Sequence, residues 1–377
     1  MHYLDNAATT RVDDAVADMV YTVLRQHFAN PSSLYAPGAH SEMVIDQARQ
    51  IVANSLGAKP EEIYFTASGT EADNIAVFGA CKARRAWADH VVVTGYEHPA
   101  VQNAVTALER DGWRVSVVNP DKEGHITVDQ LVKEVCAKTA LVAAMHVNNE
   151  VGSVLDVAAL AKLVKEKNNR TAVHVDGVQA WCKLPIRLNA TQIDSYAVSG
   201  HKIHAPKGVG ALYLRRGYHL DKFLYGGHQE KGMRPGTENT AFIAALGCAV
   251  ERINADRQRR ARVEALASRL WTGLENIPGI VRNSPADAMP DVCNFSVENI
   301  KSETMLHYLE AKDIYVSSGS ACSKGEASHT LQAMGLPRER VDTAVRVSFC
   351  GDNTPEDVDA LLEALRCGVS EIAKIRR

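Results

Sequence analysis

The sequence of 377 residues lacks several features that mark whole classes of protein. No apolar run approaches the length of a membrane-spanning helix, and residues 1–5 lack the basic and then apolar pattern of a secretion signal. Its eight cysteines include no Cys-x-x-Cys pair and are too sparse for a disulfide scaffold. These absences predict a cytoplasmic protein with reduced thiols and no membrane partner.

Two further classes are disfavoured by charge and by cysteine spacing. A formal net charge of −3 is at odds with the broad basic footprint of a nucleic-acid-binding protein, so we expect no direct nucleic-acid partner. The cysteines lack the spacing of iron–sulfur ligands, and we expect no metal site.

What the sequence does contain is the pattern of a two-domain α/β protein. Hydrophobic residues make up 46% of the chain, as in ordinary globular proteins, and the length exceeds one typical domain. Apolar strand-like runs separated by helical stretches continue to residue 214 and predict a mainly parallel sheet. These runs are 63–66, 91–94, 115–118, 141–147, 172–175, 196–198 and 209–214.

The remaining chain predicts a smaller α+β domain. A long helical pattern runs from about residue 238 to 274, strand-like runs follow at 291–297 and 314–316, and 354–375 has the pattern of a terminal helix. We assign residues 15–255 to the large domain, and residues 1–14 together with 256–377 to the small one.

Polar residues follow several predicted strands. His98, Asn149, Asp176 and Ser199 each lie just past a strand. Ligands of such folds bind at the carboxyl ends of the strands, so we expect these side chains to meet in one site.

Lys202 is the centre of that predicted site. Most lysines are solvated surface charges, but Lys202 lies in the segment Ser-Gly-His-Lys between two apolar runs, downstream of Asp176 at a strand end. An aldehyde cofactor of the pyridoxal phosphate (PLP) type needs a lysine for its Schiff base and an acidic partner for its pyridine nitrogen. Lys202 and Asp176 together predict a PLP site.

A strand-to-helix turn offers a place for the phosphate. The small residues Ser68 and Gly69 precede a helix that begins near Thr70, and a helix N-terminus leaves backbone N–H groups for an anion. The alternative is a simple helix cap by Ser68 or Thr70. The presence of Lys202 in the same chain favours the phosphate.

Cys322 is the predicted nucleophile. It lies in a small, polar, glycine-bearing stretch that offers nothing to bury it, and Lys324 nearby favours the thiolate. Cysteines are more often buried small hydrophobes, and we interpret Cys81, Cys136 and Cys248 in that way. Cys350 is likewise interpreted as structural.

The segment Asp-Gly-Val-Gln at 176–179, followed by Ser-Gly-His-Lys at 199–202, resembles the PLP site of cysteine desulfurases of the NifS/IscS-like family. The resemblance extends from residues 3–10 to residues 353–357, nearly the whole chain. It implies the fold of a type I PLP-dependent transferase, with a large mainly parallel-sheet domain and a smaller α+β C-terminal domain.

The resemblance also implies roles for individual residues. His98 would stack on the cofactor and exchange protons, and Gln179 would contact its phenolic oxygen. Asn149 and Arg346 would hold the substrate. The implied phosphate site consists of Gly69, Thr70, Ser199, His201 and, from the neighbouring subunit of a homodimer, Thr237.

The implied reaction converts L-cysteine to L-alanine and leaves the sulfur on Cys322 as a persulfide. An acceptor protein would then take the sulfur, either an iron–sulfur scaffold or a tRNA-thiolation enzyme. Two departures from the family pattern are present: His228 replaces an expected glycine, and residues 323–330 differ from the usual continuation after the cysteine. The second departure leaves the acceptor open.

Two other functions fit parts of the same pattern. A selenocysteine lyase or an aminotransferase would use Lys202 and Asp176 equally well, and only Cys322 distinguishes them from a desulfurase. A catalytically silent sulfur-relay or scaffold protein could keep the fold without the chemistry, although no motif residue is lost.

Overall fold

The structure, a computed structural model, describes residues 1–318 and 327–372. The strands in these ranges are β1 His2–Tyr3, β2 Ile63–Thr66, β3 His90–Thr94, β4 Arg114–Val118, β5 Thr139–Met145, β6 Ala172–Asp176, β7 Ser195–Ser199, β8 Gly210–Leu214, β9 Ile280–Arg282, β10 Val292–Val297, β11 Ile314–Tyr315 and β12 Ala344–Ser348. The α-helices are α1 Asp14–Gln26, α2 Ala36–Leu56, α3 Gly69–Arg84, α4 Pro99–Arg110, α5 Val128–Glu134, α6 Val157–Lys167, α7 Thr240–Ala255, α8 Arg259–Leu274, α9 Ser302–Glu310, α10 His329–Ala333, α11 Arg338–Val341 and α12 Pro355–Glu371.

A seven-stranded sheet in the order β2-β8-β7-β6-β5-β3-β4 is the centre of the large domain. Strand β8 runs antiparallel to both of its neighbours, and the other pairs are parallel. All seven residues of β5 are buried, as expected for a parallel sheet that is covered by helices on both faces. The predicted mainly parallel α/β sheet is therefore confirmed.

Each face of this sheet has its own hydrophobic core. One core joins α2 and α7 to the sheet through residues such as Ile45 and Leu246. The other joins α3 and α4 to the sheet through residues such as Ile75 and Val101. The sheet is thus held between two helical layers, and its strand ends have fixed positions.

A separate core organises the C-terminal part. Strands β12, β10 and β9 form an antiparallel sheet, and β1 pairs with β11. Leu4 packs in the same core as Phe295 and Leu361, so the N-terminal segment packs with the C-terminal part. This core supports the two predicted domains, whose boundaries at residues 14 and 255 remain a prediction.

The long helical pattern over residues 238–274 is two helices rather than one. Helix α7 ends where the N–H of Asp256 donates to the carbonyl of Ile253, and α8 begins at Arg259. Arg262 pairs with the Asp256 carboxylate and holds the turn. Helix α7 packs on α1 and α2, whereas α8 packs on α12, so the break lies between the two cores.

Among the helices in the described ranges, none combines the length and the apolar character that crossing a membrane requires.

Candidate active site

The carboxyl ends of β3, β5, β6 and β7 meet at one edge of the sheet, because these strands are adjacent and parallel. A cavity of about 880 Å³ opens at this edge. The predicted site residues that line it are Gly69, Thr70, His98, Asn149, Asp176, Gln179, Ser199, His201, Lys202 and Arg346.

Lys202 ends a short helical turn that follows β7. Its ammonium Nζ donates hydrogen bonds to the carbonyl oxygens of Ala7 and Ala8, at 2.7 and 2.8 Å. Ala7 and Ala8 also line the cavity. The N-terminal segment therefore holds the lysine side chain at the cavity wall, although it lies about two hundred residues away in the sequence.

Asp176 is the last residue of β6 and is buried. Its Oδ1 accepts a hydrogen bond from the N–H of Val178 at 2.9 Å. Burial raises the pKa of Asp176, whereas the charges of His98 and Lys202 act in the opposite direction. A protonated pyridine nitrogen beside this carboxylate would supply a positive counter-charge. That charge would offset the effect of burial and favour the ionised form of Asp176.

His98 caps the N-terminus of α4. Its Nδ1 accepts a hydrogen bond from the N–H of Ala100 at 3.1 Å, so the neutral ring carries its proton on Nε2. Burial lowers the pKa of His98; the charge of Asp176 opposes this shift, and the charge of Lys202 adds to it. The ring is therefore neutral near pH 7, with its orientation fixed by the cap.

The turn before α3 supports the predicted anion site. A Cβ atom at Gly69 would lie 2.7 Å from Cγ2 of Val178, closer than packed atoms tolerate. Only glycine permits this close approach of the helix start to the loop after β6. The first N–H groups of a helix have no acceptor within the helix, so the turn offers them to a phosphate. Ser68 is at the same time the helix cap, because its hydroxyl accepts from the N–H of Glu71 at 3.1 Å. The cap and the anion site are thus compatible.

Arg346, on β12, is a second cation that lines the cavity. Its side chain is 1% exposed, and its Nη2 donates to Oδ1 of Asp5 at 2.7 Å. Its Nη1 donates to the carbonyl oxygen of Asn149 at 3.1 Å. A buried guanidinium with fixed neighbours suits a planar carboxylate ligand.

Gln179 and His201 are each held by hydrogen-bonding neighbours. The amide nitrogen of Gln179 donates to the carbonyl of Ala7 at 2.9 Å, and its amide oxygen accepts from Nζ of Lys183 at 3.1 Å. Nδ1 of His201 lies 3.3 Å from the hydroxyl of Thr9. Burial, with help from nearby lysines, lowers the pKa of His201 to about 3, so this ring is neutral.

The sequence analysis missed two buried acids that line the cavity, Glu97 and Asp73. Burial raises the pKa of Glu97 to about 8. Its Oε1 accepts from the N–H of Met145 at 2.7 Å, and its Oε2 is buried without a hydrogen-bond partner among the described residues. Asp73 lies 3.1 Å from Nε2 of His174, and burial raises its pKa as well. The position of Glu97 directly before His98 was the available signal.

One predicted site residue that the structure describes does not line the cavity. Thr237 is exposed on the loop before α7. Cys322 lies outside the described residues. The flanks of the segment 319–326 do reach the site: Ser317 bridges to Arg346, and Ser328 donates to the carboxylate of Glu150. Ala327 itself lines the cavity.

The donor set fits PLP. The cavity offers an amine at Lys202, a buried carboxyl at Asp176 and a glycine-bearing helix start at Gly69, which match the aldehyde, the pyridine nitrogen and the phosphate of that cofactor. The neutral ring of His98 adds no charge to this set.

Comparison with known proteins agrees with this geometry. Residues 2–361 match the family model of the class-V aminotransferases. Enzymes of this class depend on PLP, and the sheet and its cavity are those of this class. A cysteine desulfurase of Nostoc sp. is 39% identical over 374 residues, which cover 96% of this chain and 91% of that protein. The chain belongs to the cysteine desulfurase family.

Solved structures give the same result. A NifS-like protein superimposes with a TM-score of 0.93 and 35% identity, covering 98% of this chain and 99% of that one. A structure described as SspA in complex with cysteine superimposes with a TM-score of 0.83 and 31% identity, covering 94% and 100% of the two chains.

Proposed function

We propose that this chain is a PLP-dependent cysteine desulfurase that converts L-cysteine to L-alanine and places the sulfur on Cys322. The observation that carries the proposal is the convergence of Lys202, Asp176 and Arg346 on one cavity. The family relationship and the cysteine bound to SspA support the same substrate.

The cofactor would be held at three points. Asp176 would pair with the pyridine nitrogen, Gln179 would contact the phenolic oxygen and Lys202 would bind the aldehyde carbon. The phosphate would rest on Gly69, Thr70, Ser199 and His201, with Thr237 of the neighbouring subunit completing the site. When bound, PLP supplies an electron sink for the substrate carbons.

Arg346 would orient the substrate. Its guanidinium would receive the carboxylate of L-cysteine in place of, or beside, Asp5. Asn149 lies next to it, with its carbonyl oxygen on Nη1, and its side chain would face the substrate. This orientation would direct the α-proton of cysteine toward Lys202.

Lys202 and His98 would handle the protons. The amine of Lys202, once neutral, is the base for the α-proton, and the carbonyls of Ala7 and Ala8 hold the amine in place. The neutral ring of His98 holds a proton on Nε2 and can deliver it to the product side.

Cys322 would take the sulfur. Its thiolate attacks the sulfur of cysteine, an S–S bond forms and the Cβ–S bond breaks with its electrons left on carbon. Protonation of that carbon gives alanine, so cysteine and a thiol become alanine and a persulfide without an external oxidant or reductant. Residues 317 and 327 contact the site and lie five residues from Cys322, a reach of about 17 Å at most.

A homodimer would complete the site. Thr237 is exposed and does not line the cavity of its own chain. Large apolar side chains are also exposed around α1 and the start of α2, which suits a subunit interface. These are Tyr21, Leu24, Phe28, Leu34 and Tyr35.

The persulfide would pass to an acceptor protein, an iron–sulfur scaffold or a tRNA-thiolation enzyme. All seven cysteines in the described part of the chain are free thiols, which fits chemistry in the reducing cytoplasm.

The test is mass analysis of the purified, PLP-loaded protein after brief exposure to L-cysteine without reductant. We expect one added sulfur atom on Cys322 and free alanine, both lost in Lys202→Ala. The matched control is Cys136→Ser, which should behave as wild type; the structure places this thiol at the surface, so its interpretation as a buried cysteine was wrong. Alanine without sulfur on any thiol would instead indicate a lyase, and the absence of both products would contradict the proposal.

A further inference from the structure

Gln179, which lines the cavity, has its side-chain amide held from both ends. Its Nε2 donates to the carbonyl oxygen of Ala7 at 2.9 Å, and its Oε1 accepts from Nζ of Lys183 at 3.1 Å. A carbonyl oxygen only accepts hydrogen bonds, and the lysine nitrogen is a donor. The two contacts therefore require the same orientation, with the amide nitrogen toward Ala7 and the amide oxygen toward Lys183.

This orientation determines what Gln179 can offer to a ligand. The amide nitrogen carries two hydrogens, and the carbonyl of Ala7 takes one of them. Among the described residues no second acceptor contacts Nε2, so the other N–H is available to a ligand in the cavity that Gln179 lines. The reversed amide would present its oxygen instead, which would repel an anionic oxygen of the ligand.

The backbone brings Lys183 back to Gln179. Both residues belong to the loop after β6, and Cys182, directly before the lysine, has a φ of +59°. This left-handed conformation is uncommon for a residue other than glycine and persists only where the surroundings impose it. The N–H of Lys183 donates to the carbonyl of Ala180 at 3.0 Å and closes the turn. The loop thus adopts an unfavourable backbone conformation at the residue that precedes the lysine.

Lys183 is partly buried, and no ion pair accounts for it. The charged groups near it include Arg259 and Asp291, which pair with each other at 2.7 Å. Within the described part of the chain, no carboxylate lies at ion-pair distance from Nζ of Lys183, whose acceptor is the amide oxygen of Gln179. Burial lowers the pKa of Lys183, and the charge of Asp291 opposes this shift. The nitrogen can donate to the amide with or without its third proton.

The same contacts connect Lys183 to Lys202. The carbonyl oxygen of Ala7 accepts from Nε2 of Gln179 and also from Nζ of Lys202, the latter at 2.7 Å. Lys183 and Lys202 also line the same small space. A chain of hydrogen bonds therefore leads from Lys183 through the amide of Gln179 to the acceptor that holds Lys202.

We propose that Lys183 is a positioning residue that fixes the amide of Gln179, so that its second N–H serves the phenolic oxygen of the cofactor. This inference rests on the PLP-dependent function proposed above. Hydrogen bonds in a chain polarise one another, so the amine on Oε1 also makes the N–H a stronger donor. Such a donor stabilises negative charge on the phenolic oxygen. That charge most needs a partner when the nitrogen that Lys202 shares with the cofactor has lost its proton, so Lys183 would lower the pKa of that nitrogen.

The test is a pH titration of the absorbance of the PLP-loaded protein, which reports the pKa of the Lys202 nitrogen. Lys183→Met removes the donor but keeps an unbranched side chain, and the pKa should rise by about one unit, the scale of one hydrogen bond to a charged group. Lys183→Gln is too short to reach the amide and should give the same rise, so it serves if Lys183→Met does not fold. Lys162→Met, which alters an exposed pair with Glu166, is the matched control and should leave the pKa unchanged.

A double-mutant cycle separates this role from a direct effect of charge. Gln179→Leu removes the amide, so adding Lys183→Met to it should change the pKa far less than the same change does in wild type. An equal rise in both backgrounds would overturn the proposal, because Lys183 would then act without the amide. An unchanged pKa in Lys183→Met would also overturn it. If the wild-type protein takes up no PLP and shows no cofactor absorbance, the proposed function itself fails, which is a different result from an unchanged pKa.

Discussion

The guanidinium Nη2 of Arg346 lies 2.7 Å from Oδ1 of Asp5, although 341 residues separate them in the sequence. The contact joins the N-terminal segment to strand β12 at the wall of the cavity. Asp5 thus accepts one of the N–H donors of Arg346, the arginine that we propose binds the substrate carboxylate. A carboxylate that enters the site must compete with Asp5 for the same N–H donors.

The first prediction concerns this arginine. Arg346→Lys keeps the positive charge but loses the planar pair of donors, so we expect KM for L-cysteine to rise about 10–100-fold, the equivalent of one charged hydrogen bond. Steady-state alanine formation measures the change. Arg269→Lys, which alters an exposed pair with Asp359, is the control and should leave KM unchanged. An unchanged KM in Arg346→Lys would remove Arg346 from substrate binding.

The second prediction concerns Gly69 in the turn before α3, which we propose binds the phosphate. Gly69→Ala would push a methyl group to 2.7 Å from Cγ2 of Val178 and force the helix start and the β6 loop apart. We expect the affinity for PLP to fall about tenfold or more, measured by titration of cofactor-free protein. Val178→Ala removes the clashing atom, so the double variant should regain most of the affinity. If the double variant binds no better than Gly69→Ala, the clash does not explain the loss.

Much of this site is predictable from local sequence because parallel strands bring their ends together. His98, Asn149, Asp176 and Ser199 each follow an apolar run, and adjacency of β3, β5, β6 and β7 is enough to bring them into one cavity. The glycine turn before α3 is also a local pattern.

Partners that depend on tertiary contacts were not predictable. Asp5 meets Arg346 only because β1 pairs with β11 and the N-terminal segment continues alongside β12, where Asp5 bridges to Ser348. The break between α7 and α8 was not predicted because the helical periodicity of the sequence continues across it. The two helices are separate because they pack on different cores. The pKa of Glu97 depends on its burial, which a residue pattern does not report.

The third prediction follows from Glu97. Its pKa of about 8 in the folded protein lies above the ordinary value of 4.5, so the folded state holds a proton that the unfolded state releases between those values. This group therefore contributes stability below pH 4.5 that is lost as the pH rises to about 8, by at most about 1.4 kcal/mol per pH unit. Glu97→Gln removes the titration.

We expect the free energy of unfolding of Glu97→Gln, relative to wild type, to increase between pH 5.5 and pH 8. Urea unfolding of the PLP-loaded proteins at several pH values measures this difference. Glu109→Gln changes an exposed glutamate and should give a difference that does not vary with pH. A flat difference for Glu97→Gln as well would show that Glu97 is ionised in the folded protein.

The fourth prediction concerns the proposed contribution of Thr237 to the site of the neighbouring subunit. Thr237→Glu would place a carboxylate against the phosphate of the site that Thr237 serves, and Lys202→Ala removes the amine that we propose binds the cofactor. Both homodimers should be inactive. In a heterodimer of the two variants, purified with two affinity tags, the site that retains Lys202 receives Thr237 from the other subunit, so about half of wild-type activity should return.

If Thr237 instead serves the site of its own chain, the same heterodimer contains no intact site, since one lacks the amine and the other has the carboxylate. It would then be as inactive as the homodimers. A heterodimer of Lys202→Ala with wild type keeps one intact site under either arrangement and gives the reference activity. Recovery to that reference places Thr237 across the interface, because no other combination of these chains restores a complete site.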